Sequence, residues 1–571
     1  MMKTMKYMTM AVLALAGAMT AGCSQDDSFF VDEQQTVNNG NTVTLTATVG
    51  LDADGAETRA LTEYGVKTFA VGDRVAVIYT DTDNKTVKAV SEPLTTADII
   101  SGGKSARFSV TVTNPDKSRN VTYIYPASMA TDEGELNYDA LKTQDGTLEY
   151  IAANLDACKY EGAWDGDNLP TNVTLANQFA ICKFTFMSED ADITKSLTSL
   201  YIEPKWNGYY YVKPSSLDVI YVAVNKTNST GKISFYAYDG TTYYNKKATS
   251  SKPFAAGSIY PIKVSGMSKW DGNLSTLKRD IIVFDGMTLT GTCYERKISI
   301  APGATVTLNG VNISNSEDPC ITCLDGATIV LSGENTLTGS GQAGIYVKKN
   351  NTMTIRGDGS LNAQSTGTGA PGIGGRYSFG NIVIAGGTIT TQGGKYAAGI
   401  GSGYVKNDKY SSGNITITGG NVTATGGYGG AGIGTGLAYC TSAKEVTHNE
   451  CGNILITGGT VTATGGKNAA GIGTGYARTK NYSMPGTHSD CKDIIITTGV
   501  TRVTATGGAL GKNLIDDDDK EDDDEEVIVY ANSIGKGGSI RRGITKCGTI
   551  TIGGTNYGAD GITTSPFIYQ P

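Results

Sequence analysis

A unit of 24 residues recurs three times in the C-terminal half of this chain. It reads GNIVIAGGTITTQGGKYAAGIGSG from Gly380 to Gly403, GNITITGGNVTATGGYGGAGIGTG from Gly413 to Gly436, and GNILITGGTVTATGGKNAAGIGTG from Gly452 to Gly475. A weaker copy begins at Asp493, and a fragment, GTITIGG, returns at Gly548. Such periodicity constrains the fold strongly, because one unit cannot bury its own apolar face and has to stack on its neighbours. Ile382 and Ile384, Ile415 and Ile417, and Ile454 and Ile456 alternate with other residues and are followed by paired glycines. A second short strand and a third piece, Ala-Gly-Ile-Gly-Ser/Thr-Gly, complete the unit. Three short strands joined by glycine corners predict one coil of a parallel β-helix, with Ile and Val stacked inward at about 4.8 Å per coil. Looser coils are legible at Ile298 to Ile313, Ala327 to Val347 and Met353 to Ala363, so the rod is expected over 281–571. A glycine-rich low-complexity tail is the competing reading, and the regular Ile/Val placement speaks against it.

Glycine usage marks where the rod starts. Of 75 glycines, 19 precede residue 281 and 56 follow it, which predicts a linker at 266–280. The net charge of −8 is local: residues 516–526 hold ten acids and one lysine, −9 in all, leaving +1 elsewhere. That run is expected to stay solvated; its carboxylates would suit weak Ca²⁺ binding, although EF-hand spacing is absent. With no basic stripe, nucleic acid is not an expected partner. Nine of the ten cysteines follow Cys23. Cys158 with Cys182 is one candidate pairing. Cys451 with Cys491 is another, against Cys440 with Cys451 plus Cys491 with Cys547. Cys320 and Cys323 form a lone CxxC without a nearby His and read as structural.

At the N-terminus, Lys3 and Lys6 precede an apolar run from Met8 to Ala18, the pattern of a secretory signal. Met19-Thr20-Ala21-Gly22-Cys23 resembles a bacterial lipobox, with Thr20 where Leu is usual. The resemblance implies removal of 1–22, acylation (palmitate) of Cys23, and a lipidated linker over 23–41. Ser24-Gln25-Asp26-Asp27 is similar to export signals of surface lipoproteins in Gram-negative anaerobes. No later run approaches the ~20 apolar residues of a membrane span, so the expected anchor is lipid at the cell outer membrane.

Residues 42–265 read as short strands between Gly-, Asn-, Asp- and Pro-rich turns, Thr42 to Val49 alternating most clearly. This predicts two β-sandwiches, over 42–160 and 161–265. The stretch resembles the fimbrillin family of type V pili. The carrying residues are Phe69-Ala70-Val71-Gly72-Asp73-Arg74-Val75-Ala76-Val77, Tyr123-Ile124-Tyr125-Pro126, Asn177 to Phe184, and Phe254 to Val264. The fold expectation is therefore all-β: a tandem fimbrillin-like β-sandwich followed by a right-handed parallel β-helix. The resemblance implies that an arginine-specific protease cuts between Arg59 and Ala60, releasing the first strand. A strand from another pilus subunit would then fill the groove.

The repeats are interrupted by Tyr404 to Ser412, Leu437 to Cys451 and Tyr476 to Cys491, which leave and rejoin the coil at matched points. Stacking should gather these inserts along one edge as loops, where function usually resides. Their tyrosines Tyr404, Tyr410, Tyr439, Tyr476 and Tyr482 lie beside amides and acids, a mixture suited to carbohydrate. The chain's two histidines occur in matched contexts, Thr447-His448-Asn449-Glu450-Cys451 and Thr487-His488-Ser489-Asp490-Cys491. His448, Glu450, His488 and Asp490 are candidate metal ligands, against common descent of two loops with no ligand.

This half also resembles glycine-rich surface repeats, some of them carbohydrate-binding, and shares its fold type with polysaccharide lyases. The repeat strands carry Thr, Ala and Gly and no paired acids at coil spacing, which argues against catalysis. The Thr423/Thr462/Thr504 stack resembles ice-binding solenoids, although the inserts would break a flat face. The expected function is a fimbrillin-type surface lipoprotein, a minor or tip pilus subunit adhering to glycan or host-matrix protein through its β-helix. A surface-held polysaccharide-degrading enzyme and a passive spacer are the alternatives.

Overall fold

The computed structural model describes residues 42–51, 68–205, 208–509 and 531–571. The signal segment, Cys23, Arg59, Ala60 and the acidic run 516–526 lie outside these residues. The fold is nearly all β. Among the described residues no helix is long and apolar enough to cross a membrane.

The strand Thr42–Leu51 lies inside an eight-stranded sheet. It pairs antiparallel with Ser105–Thr113 over nine residue pairs and parallel with Val173–Leu175. Its period of two sends Leu45, Ala47, Val49 and Leu51 into the core. The Thr42, Thr44 and Thr46 hydroxyls bond across to Thr113, Thr111 and Ser109 at 3.0–3.1 Å. The sheet curls over its own core, and Phe108 meets Tyr123 edge to face at 5.4 Å although their strands are not neighbours. It continues to Val173–Asn177, past the residue-160 boundary read from sequence, because that strand pairs with both Cys158–Gly162 and the first strand.

In the second unit, Phe179–Ser188 lies between Ile220–Asn225 and Ile259–Val264. A six-stranded sheet shares its core, where Phe184, Phe186 and Phe235 meet at 5.6–5.9 Å. Alternation gives that sheet two apolar faces. Leu200 and Ile202 face the sandwich, whereas Tyr201, Tyr211, Tyr236 and Tyr243 belong to the core of the β-helix. Tyr211 stacks on Phe284 of the first coil at 6.2 Å. The expected linker 266–280 is folded, since Ser268–Trp270 pairs with Tyr243–Asn245 in the same sheet.

The coils stack as predicted. Ile281, Ile298, Ile321, Ile345, Ile373, Ile400, Ile433, Ile472 and Ile534 pair successively in one parallel sheet, an unbroken column of buried isoleucines. Ile382, Ile415, Ile454, Ile494 and Ile550 make a second column in the other sheet. The tyrosine sheet covers the first coil. At the far end Thr555–Gly558 and Phe567–Tyr569 pair antiparallel with the last rungs. The last rungs of the largest coil sheet, which would otherwise template further pairing, are thereby capped.

Candidate functional site

The inserts are strands rather than loops. Val405–Lys406, Ala438–Cys440, Ala477–Thr479 and Ser539–Ile540 form one four-stranded parallel sheet. Lys409–Ser411, Thr447–Cys451, Thr487–Cys491 and Gly543–Lys546 form another. Each late coil is thus enlarged by two strands, and the stack has a fourth member, 539–546, that the repeat pattern did not reveal. It follows the acidic run, where sequence similarity to the other inserts is lost.

Part of the space between insert and coil is polar. Ser402, Thr435 and Thr474 occupy the one position of Ala-Gly-Ile-Gly-Ser/Thr-Gly that keeps a hydroxyl in every copy, and all three are buried. Ser402 donates to Asn449 Oδ1 at 2.9 Å, and Thr435 meets the Ser489 hydroxyl at 2.8 Å. The Asn449 amide donates to the carbonyls of Gly403 and Gly436 at 3.1 and 3.2 Å. The Ser402, Thr435 and Thr474 oxygens accept from the amides of Gly436, Gly475 and Gly537 at 3.1, 2.8 and 2.7 Å. Buried polar groups that are mutually satisfied rigidify a core, and here they lock the inserts to the rod. The recurrent hydroxyl was the sequence signal for this layer, and the sequence reading missed it.

Outward-facing residues of the same strands carry the charge. His448 pairs in register with His488, and Glu450 with Asp490. Lys409 precedes the first column, and Lys546 follows Asp490 in the second. His448 Nε2 and Asp490 Oδ2 are 2.8 Å apart. That hydrogen bond, helped by the charges of Asp490 and Glu450, raises the His448 pKa above 6.5 against desolvation and Lys409. Burial lowers the His488 pKa below 6.5. The Asp490 charge opposes this, while His448 and Lys546 reinforce it. The rings lie 5.6 Å apart, edge to face. Asp490 Oδ1 is buried with no hydrogen-bond partner among the described residues. No three His, Cys, Asp or Glu side chains among the described residues converge on a metal position. The candidate ligands His448, Glu450, His488 and Asp490 therefore share a face but do not converge, and a ring nitrogen of His448 is engaged by Asp490.

The nine described cysteines are free and buried, so none of the pairings considered from sequence is formed. Cys451 and Cys491 are in register, and the Cys491 thiol hydrogen-bonds with Cys547. Burial raises the pKa of both Cys451 and Cys491; these side chains are packing, not nucleophiles.

The five candidate tyrosines divide by environment. Tyr476 is buried with Leu437 and Ile540, and Tyr404 and Tyr439 pack against that cluster. Tyr439 also lies between Lys406 and Arg478, 5.9 and 5.1 Å from its ring. These three help hold the inserts down, the packing role weighed against ligand binding in the sequence. Tyr482 is 64% exposed at an insert tip. Tyr410 faces elsewhere: its ring stacks on Tyr377 at 5.3 Å, and its hydroxyl bonds to Asp408, which pushes its pKa up to about 12.

Stacked parallel coils with in-register isoleucine columns define a parallel β-helix protein. The beta helix repeat family model matches residues 382–404, 415–437 and 454–476, the three clear copies. Among solved structures, the chain is similar to a fimbrial assembly protein from Parabacteroides distasonis ATCC 8503, at 12% identity. That likeness covers 39% of this chain and 90% of the other, with a TM-score of 0.22. No curated protein matches.

Proposed function

We propose that the chain is exported to the cell outer membrane as a lipidated precursor and becomes a fimbrillin-type subunit in a minor or tip position of a pilus, whose β-helix is a non-catalytic adhesive head. The observation that carries this reading is the position of Thr42–Leu51. It is an internal strand, contributing four side chains to the core and bonded on both edges. The segment that follows it contains Arg59. Cleavage there would leave the strand held only by non-covalent contacts. Its departure would open a slot between Ser105–Thr113 and Val173–Asn177, walled by Phe108, Val110 and Leu175, all buried. An extended segment of another subunit would satisfy the same backbone groups. The capped last rungs of the largest coil sheet suit a head, which presents a surface and does not propagate the stack.

N-terminal sequencing of the protein in pili sheared from native cells tests the assembly half. Ala60 as the first residue is expected, and acylated Cys23 on every molecule would refute strand exchange. Release of reducing sugar from a polysaccharide panel would refute the non-catalytic half.

A further inference from the structure

Beyond the inserts, one outward face of the rod is left open. The first isoleucine column belongs to a sheet whose outward residues run Ile282, Ser299, Thr322 and Tyr346 on successive coils. From the next coil on, this register position is glycine: Gly374, Gly401, Gly434, Gly473 and Gly535. The enlarged coils cover the sheet beside them, with Ser402 bonded to Asn449. The early coils have no insert, and their outer face is the floor of a groove of about 710 Å³.

The groove runs from the capping sandwich to the coil that precedes the first insert. Tyr201, Glu203 and Tyr209 of the second sandwich stand at one end, and Arg376, Tyr377 and Tyr410 at the other. Three coil steps at about 4.8 Å put roughly 14 Å between Ile282 and Tyr346 along the floor, so the length suits a chain of sugars better than a single ring. Tyr377 is 48% exposed and is held by the stacked Tyr410 ring on one side, with Arg376 5.9 Å from its centroid. It is an aromatic surface fixed in position before any ligand arrives. Such rings pack on the CH faces of pyranoses. Lys297 and Lys348 line the groove and are exposed. Among the described residues neither lysine, nor Arg376, has a carboxylate within ion-pair distance. One Arg376 nitrogen donates to the Gly341 carbonyl at 2.9 Å, which fixes the guanidinium. Glu203 and Asp318 can accept from hydroxyls.

We propose that this groove binds an acidic oligosaccharide. Its sugar faces lie on Tyr346 and Tyr377, its carboxylates meet Lys297, Lys348 and Arg376, and its hydroxyls donate to Glu203 and Asp318. The inference rests on the binding-head reading above but moves the site from the insert edge to the open face of the early coils. None of the insert tyrosines except Tyr410 takes part.

The test uses the full-length protein on an array of neutral and uronic- or sialic-acid-bearing oligosaccharides, followed by titration of the best acidic member. Binding to acidic members is expected, weakening with salt. Tyr377→Ala, and separately the double variant Lys297→Glu with Lys348→Glu, should each weaken it about tenfold or more. All three positions are solvent-facing, and an unchanged far-UV CD melt would show that the variants fold. Tyr482→Ala, at an insert tip, should leave affinity unchanged. The proposal is overturned if only neutral glycans bind, if the groove variants bind like the parent, or if Tyr482→Ala is the variant that loses binding. It is equally overturned if no glycan binds; adherence of the same protein to immobilised host-matrix proteins would then keep the head reading while rejecting this ligand.

Discussion

Gly434→Ala probes the reason for the glycine column. Gly434 stands in register between Gly401 and Gly473, with a φ of 137°. A Cβ there would lie 2.8 Å from the carbonyl carbon of Gly473 and overlap its oxygen. That oxygen belongs to the next coil, whose position is fixed by isoleucines on either side. Holding alanine in this backbone region costs about 1–3 kcal/mol. Forcing a methyl group against backbone that cannot retreat adds about 1–3 kcal/mol, for about 2–6 kcal/mol together. Gly310→Ala is the comparator: its φ is 69° and nothing lies within 4 Å of the added Cβ, so only the left-handed penalty of about 1–2 kcal/mol applies. Hydrogen exchange by mass spectrometry reads the two locally. The Ile433 and Ile472 amides donate to Gly471 and Ser533 at 3.0 and 2.9 Å. In Gly434→Ala they should exchange at least about thirtyfold faster, and neighbouring coils should share the effect. If Gly434→Ala loosens its coil no more than Gly310→Ala loosens its own, the steric account of the column is wrong.

Two other tests address the inserts. The two histidines should titrate apart by NMR, His448 above 6.5 and His488 below it, and Asp490→Asn should lower both midpoints. The raised His448 stabilises the fold below pH 6.5, and this is lost as pH rises through its folded pKa; the depressed His488 costs stability as pH falls from 6.5 toward its folded pKa. Coincident or inverted titrations would contradict the Asp490 pairing. Asn449→Ala leaves the Ser402 hydroxyl and the Gly403 and Gly436 carbonyls short of a partner, a loss of about 1–3 kcal/mol for the first unsatisfied group. Limited proteolysis should then cut the 437–451 insert first, and an unchanged cleavage pattern would count against the polar lock.

The sequence alone determined the rod. A repeat with Ile at fixed offsets and glycine at the corners has one way to bury its apolar side, and Ile382, Ile415 and Ile454 stack accordingly. The period of two along Thr42–Leu51 likewise foretold which side chains enter the core. The earliest coils were only partly legible, because there the column is carried by single residues such as Ile281 and Ile321 without repeat context. The inserts were located from sequence but misjudged as loops, since short strands of mixed polarity lack an apolar signature and form by pairing with the coil beside them. Only the tertiary structure decided which tyrosines are packing. Tyr476 and Tyr377 are equally aromatic in sequence, yet one is buried beside Leu437 and the other stands 48% exposed at the end of a groove. The groove itself could not be read along the chain. Its walls come from a sandwich, the bare early coils and the start of the inserts, brought together because the tyrosine face of Ser199–Pro204 caps the first rung.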